Sequence, residues 1–478
     1  MAADKPIHFA EHVQLTSLGI SPESISFANV TLESEKYVCV REASGSGNTV
    51  TIVDLNNIGQ VIRRPMTADS AIMHPEEKIL ALKLQRQLQL FNLETKTKVQ
   101  SHVMGQDVIF WRWISNDTLG IITDTAVYHW ELGGEKPPQK VFDRHASLAG
   151  SQIINYRASA DGKWLVLIGI SSNTAPNAFK VKGSMQLYSR DRGVSQPIEG
   201  HAASFAELKS LDAPVPYKLF TFAVRTGTGA KLHIVEIDHA PENPVFTKKA
   251  VDVFFPAEAT GDFPVAIQVS RRYGVVYLLT KYGFIHLYDL ESGACIYMNR
   301  VSGETVFVAA ENRVNSGVIA VNRRSQVLSV TVDEETLVPY ILRTLNNTDL
   351  AFKLAARNDL PGADDLYLQQ YHSLFSMGQY SEAIKVAATS PRGVLRTPQT
   401  IEQLKQVPTQ PGTLSPILQY FGVLLENSSL NKYESLELAK PVLAQGRKHL
   451  LEKWLKENKI ECSEELGDIV PVSYTHLR

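Results

Sequence analysis

The sequence predicts a seven-bladed β-propeller followed by an α-α solenoid, on three observations. The first is one strand–turn–strand pattern that recurs seven times between Val50 and Ile341. The second is a change of apolar period, from two to three-and-four, after about Asn346. The third is the length of 478 residues, too long for one compact core and right for a repeat array with an appendage.

The pattern reads "VTIVDLNNIGQVI" from Val50, "LQLFNLETKTKV" from Leu88 and "VYHWELGGEKPPQKVF" from Val127. It returns as "MQLYSRDRGVSQPI" from Met185, "LHIVEIDHAPENPVF" from Leu232, "IHLYDLESGACIYM" from Ile285 and "VLSVTVDEETLVPYI" from Val327. Each unit alternates apolar and polar residues, turns on polar or Gly-containing residues and resumes an apolar strand, which is a hairpin signature. A mean spacing of roughly 45 residues suits propeller blades. One such small sheet cannot bury both faces alone, and seven around an axis can. The propeller is placed over residues 1–330, with a strand near Pro6 to Phe9 completing the last blade.

Residues 331–360 are read as a linker with a first helix, and 361–470 as a helical zigzag. "LAFKLAARNDL", "GADDLYLQQYHSLFSMGQYSEAIKVAATS", "SPILQYFGVLLENSS" and "YESLELAKPVLAQGRKHLLEKWLKE" carry apolar residues at three- and four-residue steps, the stripe of an amphipathic helix. Pro361-Gly362, Pro391, Pro398, Pro408, Pro411-Gly412 and Pro416 punctuate them. Asn431 and Ser463 are candidate N-caps. Short helices joined by short loops suggest stacked helix pairs. The last ends near Asp468 without a polar capping unit, so further repeats are expected to follow. "PVSYTHLR", residues 471–478, is read as a non-native tail.

Composition excludes several classes. Apolar residues make up 44% and charged residues 21%, the balance of a soluble globular chain. A formal net charge of −2 supplies no global field for nucleic acid or an anionic membrane. No apolar run spans a bilayer, and "MAADKPIHFAEH" lacks the apolar core of a signal peptide. Three scattered cysteines, Cys39, Cys295 and Cys462, argue for reduced thiols in the cytosol. Catalytic motifs are absent: no P-loop, no G-x-S-x-G, no H-E-x-x-H. "SGSGN" and "RTGTGAK" read as hairpin turns. The 13 histidines include no pair at metal-ligand spacing, so neither a metal nor a cofactor is expected. A propeller enzyme, or another WD-type scaffold with helical repeats, stays open as an alternative, because spacing cannot show which side chains converge on a channel.

One feature invites a function. Period two puts Gln89 and Phe91 on one strand face, and puts Lys96 and Lys98 together on the next strand. The sister hairpin from Ile285 carries Ala294 and Ile296 after its turn, so the scaffold does not require the lysines. On residues alone they are either a solvated pair keeping a strand edge soluble or one side of an anion-facing groove.

"IRRPMTADSAIMHP" from Ile62, "VIFWRWIS" from Val108, "SQPIEGHAASFA" from Ser195, "KYGFIHLYDLESGACIYMNRVSGE" from Lys281, "LNKYESLELAKPVL" from Leu430 and "LLEKWLKENKIECSEELGDIV" from Leu450 resemble the clathrin heavy chain family, from near the N-terminus to about Val470. The resemblance implies a structural coat protein rather than an enzyme. Its propeller would capture short linear motifs of adaptor and accessory proteins during endocytosis and vesicle transport, on the cytoplasmic face of coated pits and vesicles. Trimerisation and light-chain binding would use segments absent here.

The resemblance also implies sites. An extended peptide of the form Leu-apolar-x-apolar-Asp/Glu would lie between the first two blades. Ile62, Leu80 and Phe91 would be its apolar walls, Arg64 and Gln89 its donors, and Lys96 and Lys98 its cations. A tryptophan-motif site at the top of the propeller maps to Phe27, Gln152, Ile154, Trp164 and Ile170, although Ile154 and Ile170 also read as blade core. A third site, between the fourth and fifth blades, maps to Arg192 and Gln196. A further N-terminal site involves Phe9 and Glu11.

Overall fold

The structure is a computed structural model that describes residues 5–45, 47–409 and 411–469. It divides into two compact units, one of Lys5–Asp333 and one beginning at Glu334. The tail at 471–478 lies outside the described residues.

The first unit holds seven four-stranded antiparallel sheets. Six of them are consecutive meanders; blade 1 runs from the strand Val30–Leu32 to Val61–Pro65, blade 2 from Ser70–Met73 to Thr97–Val103. Blade 7 differs. Its first three strands are Val306–Asn312, Gly317–Asn322 and Gln326–Val332, and its fourth is the N-terminal strand Ile7–Gln14. Ile7 pairs with Val332 and Gln14 with Gln326, so first and last segments of the unit close the ring and leave each blade only its short outer and inner edges.

Six of the seven expected hairpins are the third and fourth strands of blades 1–6. The seventh is not a hairpin: after Gln326–Val332 the chain forms helix α1, Leu337–Arg343. Leu337, Val338 and Ile341 are its buried residues, a helical spacing hidden inside what reads as a second apolar strand.

Faces of neighbouring blades make the cores. Val50, Ile52, Leu80 and Leu82 form one between blades 1 and 2. Leu88, Leu90, Trp111 and Trp113 form the next, between blades 2 and 3. Period two is visible here, since residues 88 and 90 face blade 3 while Phe91 packs toward blade 1.

The second unit continues with α2 (Thr348–Asn358), α3 (Asp364–Ser376), α4 (Tyr380–Ala388), α5 (Pro398–Gln406), α6 (Pro416–Asn427), α7 (Lys432–Ala444), α8 (Lys448–Lys456) and α9 (Glu464–Ile469). Neighbours pack together, α3 on α4 and α4 on α6, through Tyr367, Tyr371, Ile384 and Tyr420. Both expected caps form. The Asn431 side chain accepts from the Glu434 amide within a full capping box, and Ser463 Oγ accepts from the Leu466 amide at 3.1 Å. Among the described residues no helix is long and apolar enough to cross a membrane.

Candidate peptide-binding seams and the central channel

The seam between blades 1 and 2 is built from two outer edges. On blade 1, Ile62 pairs with Ile52 and Arg64 with Val50, both core residues facing blade 2. Ile62 and Arg64 therefore face blade 2 as well. On blade 2, Phe91 pairs with Leu80 on one side and with Lys98 on the other. Ile62 and Phe91 are half-buried on the same core, while Arg64, Lys96 and Lys98 are exposed. Gln89 lies two residues before Phe91, half-buried, on the same face. Neither Lys96 nor Lys98 forms an ion pair among the described residues, although the neighbouring Lys78 and Glu94 approach to 3.7 Å.

Two expectations need correction. Leu80 is fully buried and pairs with Phe91 on the neighbouring strand; it backs the apolar wall and presents no exposed surface of its own. Lys96 is not in a strand. The outer strand begins at Thr97, and Lys96 occupies the preceding turn with φ 56°, so period two does not relate it to Lys98. The sister turn also aligns one residue earlier than the comparison with Ala294 and Ile296 supposes, as the ungapped match of Leu88–Lys98 to Ile285–Cys295 itself gives. Tyr288 pairs with Cys295 as Phe91 pairs with Lys98, so the counterparts of Lys96 and Lys98 are Gly293 and Cys295.

The first strand of each blade faces a central channel. At one end a cavity of about 450 Å³ is lined by Phe27, Gln152, Ile154 and Ile170, four of the five residues expected for the tryptophan-motif site. Ile154 is the unpaired residue of a β-bulge between Ile153 and Asn155, which turns it toward the cavity beside Gln152. Trp164 does not join them. It begins the strand Trp164–Ser172, in which Ile170 comes six residues later; at about 3.3 Å per residue the two lie roughly 20 Å apart. Trp164 lines instead a cavity of about 860 Å³ at the opposite end.

There it meets the third predicted site. The Arg192 guanidinium lies 6.0 Å from the Trp164 ring centroid. Gln196 pairs with Leu187, whose face is the core between blades 4 and 5. Trp164, Arg192 and Gln196 thus share the seam between blades 4 and 5.

With this geometry in place, comparison with known proteins is informative. Residues 256–291 match the clathrin propeller repeat, 334–357 the clathrin heavy-chain linker and 359–424 the Clathrin-H-link family. The chain is 56% identical to the clathrin heavy chain of Drosophila melanogaster over 475 residues, 99% of this chain. It is 54% identical to clathrin heavy chain 2 of Homo sapiens and 53% to the probable clathrin heavy chain of Schizosaccharomyces pombe, each across 98% of this chain. This chain belongs to the clathrin heavy chain family. It spans 28% of the length of each of these three relatives.

In this member of the clathrin heavy chain family, the N-terminal pair lies on the outer strand of blade 7. Phe9, opposite Val330, is 42% exposed, and Glu11 lies opposite Leu328. Glu11 Oε2 accepts from Gln326 Nε2 at 3.0 Å. The two residues share a face two positions apart, before the bulge that follows Glu11.

Sequence reasoning missed the cations of the channel. Lys83, Arg112, Arg157 and Lys281 all line the 450 Å³ cavity, and they come from blades 2, 3, 4 and 6. A usable signal existed: Arg112 in "VIFWRW" is a cation inside an otherwise apolar strand, and Arg157 in "QIINYRA" is one inside a mainly apolar strand. Their convergence was invisible, because the strands that carry them are far apart in sequence. Among the described residues no group of three or more His, Cys, Asp or Glu is placed to hold a metal.

Proposed function

We propose that this chain is the adaptor-capturing end of a coat subunit. The propeller binds short linear motifs of adaptor and accessory proteins, and the helices that follow begin a spacer toward the lattice. The subunit works in endocytosis and vesicle transport at the cytoplasmic face of coated pits and vesicles. Trimerisation and light-chain binding belong to segments outside this chain.

The observation that carries the reading is the seam between blades 1 and 2. It offers a half-buried apolar floor, Ile62 and Phe91, beside three cations without ion pairs among the described residues, Arg64, Lys96 and Lys98. An extended peptide with alternating leucines and an acidic end matches that layout: side chains enter the seam between strands while carboxylates meet the rim. The tryptophan-motif site at Phe27, Gln152, Ile154 and Ile170, the blade 4–5 seam at Arg192 and Gln196, and the Phe9–Glu11 edge are further peptide sites in the same scheme. Each single contact is weak, since ordering a flexible peptide costs entropy. Multiple adaptors on multiple propellers supply avidity.

The test is titration of a labelled Leu-apolar-x-apolar-Asp/Glu peptide against the chain and its Lys96→Glu/Lys98→Glu variant. Reversing two rim charges is expected to weaken binding at least about tenfold, about 1.4 kcal/mol, with an unchanged melting temperature. Undiminished affinity in a folded variant overturns the site.

A further inference from the structure

The two cavities of the channel share a waist. Glu33, Arg112, Arg157 and Gln268 line both of them. Arg157 reaches from blade 4 to the next two blades, donating to the carbonyl of Ala203 on blade 5 at 3.2 Å. It also donates to the Ile267 carbonyl at 2.6 Å and to Gln268 Oε1 at 2.9 Å on blade 6. All three acceptors are neutral. Burial and the neighbouring Arg112 lower the Arg157 guanidinium to about 10, with Glu311 pulling the other way, so burial outweighs the one carboxylate that acts on it.

Arg112 is no better matched. It donates to Asn155 Oδ1, and its Nε lies 3.8 Å from Glu33 Oε2, beyond hydrogen-bond reach. Glu33 Oε2 accepts instead from the Trp113 amide at 3.0 Å, and burial raises the Glu33 carboxyl above its ordinary range. On the 450 Å³ side, Lys83, Arg112, Arg157 and Lys281 face only Glu33 and Asp69, four cations against two acids. Lys83 and Asp69 are 3.9 Å apart. The Lys281 ammonium lies 5.5 Å from the Phe263 ring centroid and has no carboxylate partner among the described residues. The other mouth carries Arg190, Lys218, Arg271 and Arg313 against Asp117, Asp161, Glu207 and Glu311, so its charges balance and the excess of positive charge lies at the waist and on the 450 Å³ side.

We propose that this waist is a binding site for a compact multivalent oxyanion of the phosphate class. The ion enters past the Phe27–Ile154 rim and is held by the guanidinium groups of Arg112 and Arg157, with Lys83 and Lys281 above it. Guanidinium forks suit oxygen-rich anions because several N–H donors meet several oxygens at once. The site is separate from the interblade seams, and its ligand is an ion or phosphoryl group rather than an extended peptide.

Calorimetric titration of the chain with inorganic phosphate tests it, with inositol 1,4,5-trisphosphate as a second arm and acetate as a comparator. Saturable binding of either phosphate probe in preference to acetate is expected. Binding of inorganic phosphate identifies a free ion as sufficient, whereas binding of the inositol phosphate alone identifies a phosphoryl group on a larger headgroup. Arg157→Gln is expected to weaken binding at least about tenfold. Lys281→Gln removes one cation and none of the Arg157 hydrogen bonds, and is expected to weaken it severalfold with an unchanged melting temperature. Absence of binding at millimolar phosphate and inositol phosphate, equal binding of acetate, or unchanged affinity in folded Lys281→Gln and Arg157→Gln overturns the proposal.

Discussion

Lys96 shows how one residue separates stability from function. Its φ of 56° lies in the left-handed region, and the equivalent turns of blades 4 and 6 hold Gly193 at 62° and Gly293 at 74°. A side chain there costs about 1 kcal/mol relative to glycine. Lys96→Gly is therefore expected to leave the propeller as stable or up to about 1 kcal/mol more stable in urea denaturation, while weakening the acidic peptide several-fold. A loss of stability would show that the lysine is structural. His286 makes the opposite case. It is 1% exposed, stacks on Tyr288 and has no hydrogen-bond partner on either ring nitrogen among the described residues. Burial holds it at about 4, and His129, bonded to Tyr156 Oη at 2.7 Å, is held at about 4 as well. Both stay neutral in the fold while the unfolded chain takes up protons below about 6.5. Their contribution is intact above that pH and is lost as pH falls from about 6.5 toward 4. Each pKa unit is worth about 1.4 kcal/mol at most. Replacing His286 with Phe keeps a flat ring and removes one titration. The denaturation midpoint of that variant is expected to fall less steeply between pH 6.5 and 4, and an unchanged slope would remove His286 from the account.

Elements are held by their ends as much as by their faces. Helix α7 begins at a capping box in which Glu434 Oε2 accepts from the Asn431 amide at 2.8 Å. The same carboxylate, fully buried, accepts from Tyr420 Oη of α6 at 2.6 Å and from Arg396 before α5. One side chain therefore caps its own helix and anchors two neighbouring segments. Removing it strands a largely buried guanidinium, a loss of about 3–5 kcal/mol. Glu434→Ala is expected to lower the urea midpoint of the helical signal accordingly; a loss below about 1 kcal/mol would mean that Arg396 reaches water. The blade hairpins behave similarly. Blades 2 and 6 both carry a bulge near the end of this ladder, between Leu90 and Phe91 and between Leu287 and Tyr288. That bulge brings Lys98 opposite Phe91, and the apolar floor and the cation owe their adjacency to it.

At the scale of the molecule, the ring depends on the strand Ile7–Gln14, which covers Gln326–Val332. A chain lacking residues 1–14 would expose that strand as an open, apolar edge. It is expected to melt at lower temperature and to self-associate in size-exclusion chromatography; a monomer of unchanged melting temperature would show that closure is dispensable.

The propeller was legible because each blade is a local object: strand alternation and turn residues lie within a dozen positions of each other. The same holds for the helical caps at Asn431 and Ser463, where the cap and the amide that donates to it are three residues apart. Part of the blade 1–2 seam was legible for that reason, since Gln89 and Phe91 share one strand. The rest depended on position along and across the blades. Strand parity gives a face but not a height, so nothing local separates Trp164 from Ile170, which the resemblance maps to one site and which line different ends of the channel. Left-handed backbone at Lys96 and complete burial of Leu80 follow from how the turn and the neighbouring blade pack. The four channel cations meet only because the ring closes. Local chemistry in the chain set the elements and their faces; closure of the ring decided which of those faces meet, because residues far apart in sequence become neighbours only around a common axis.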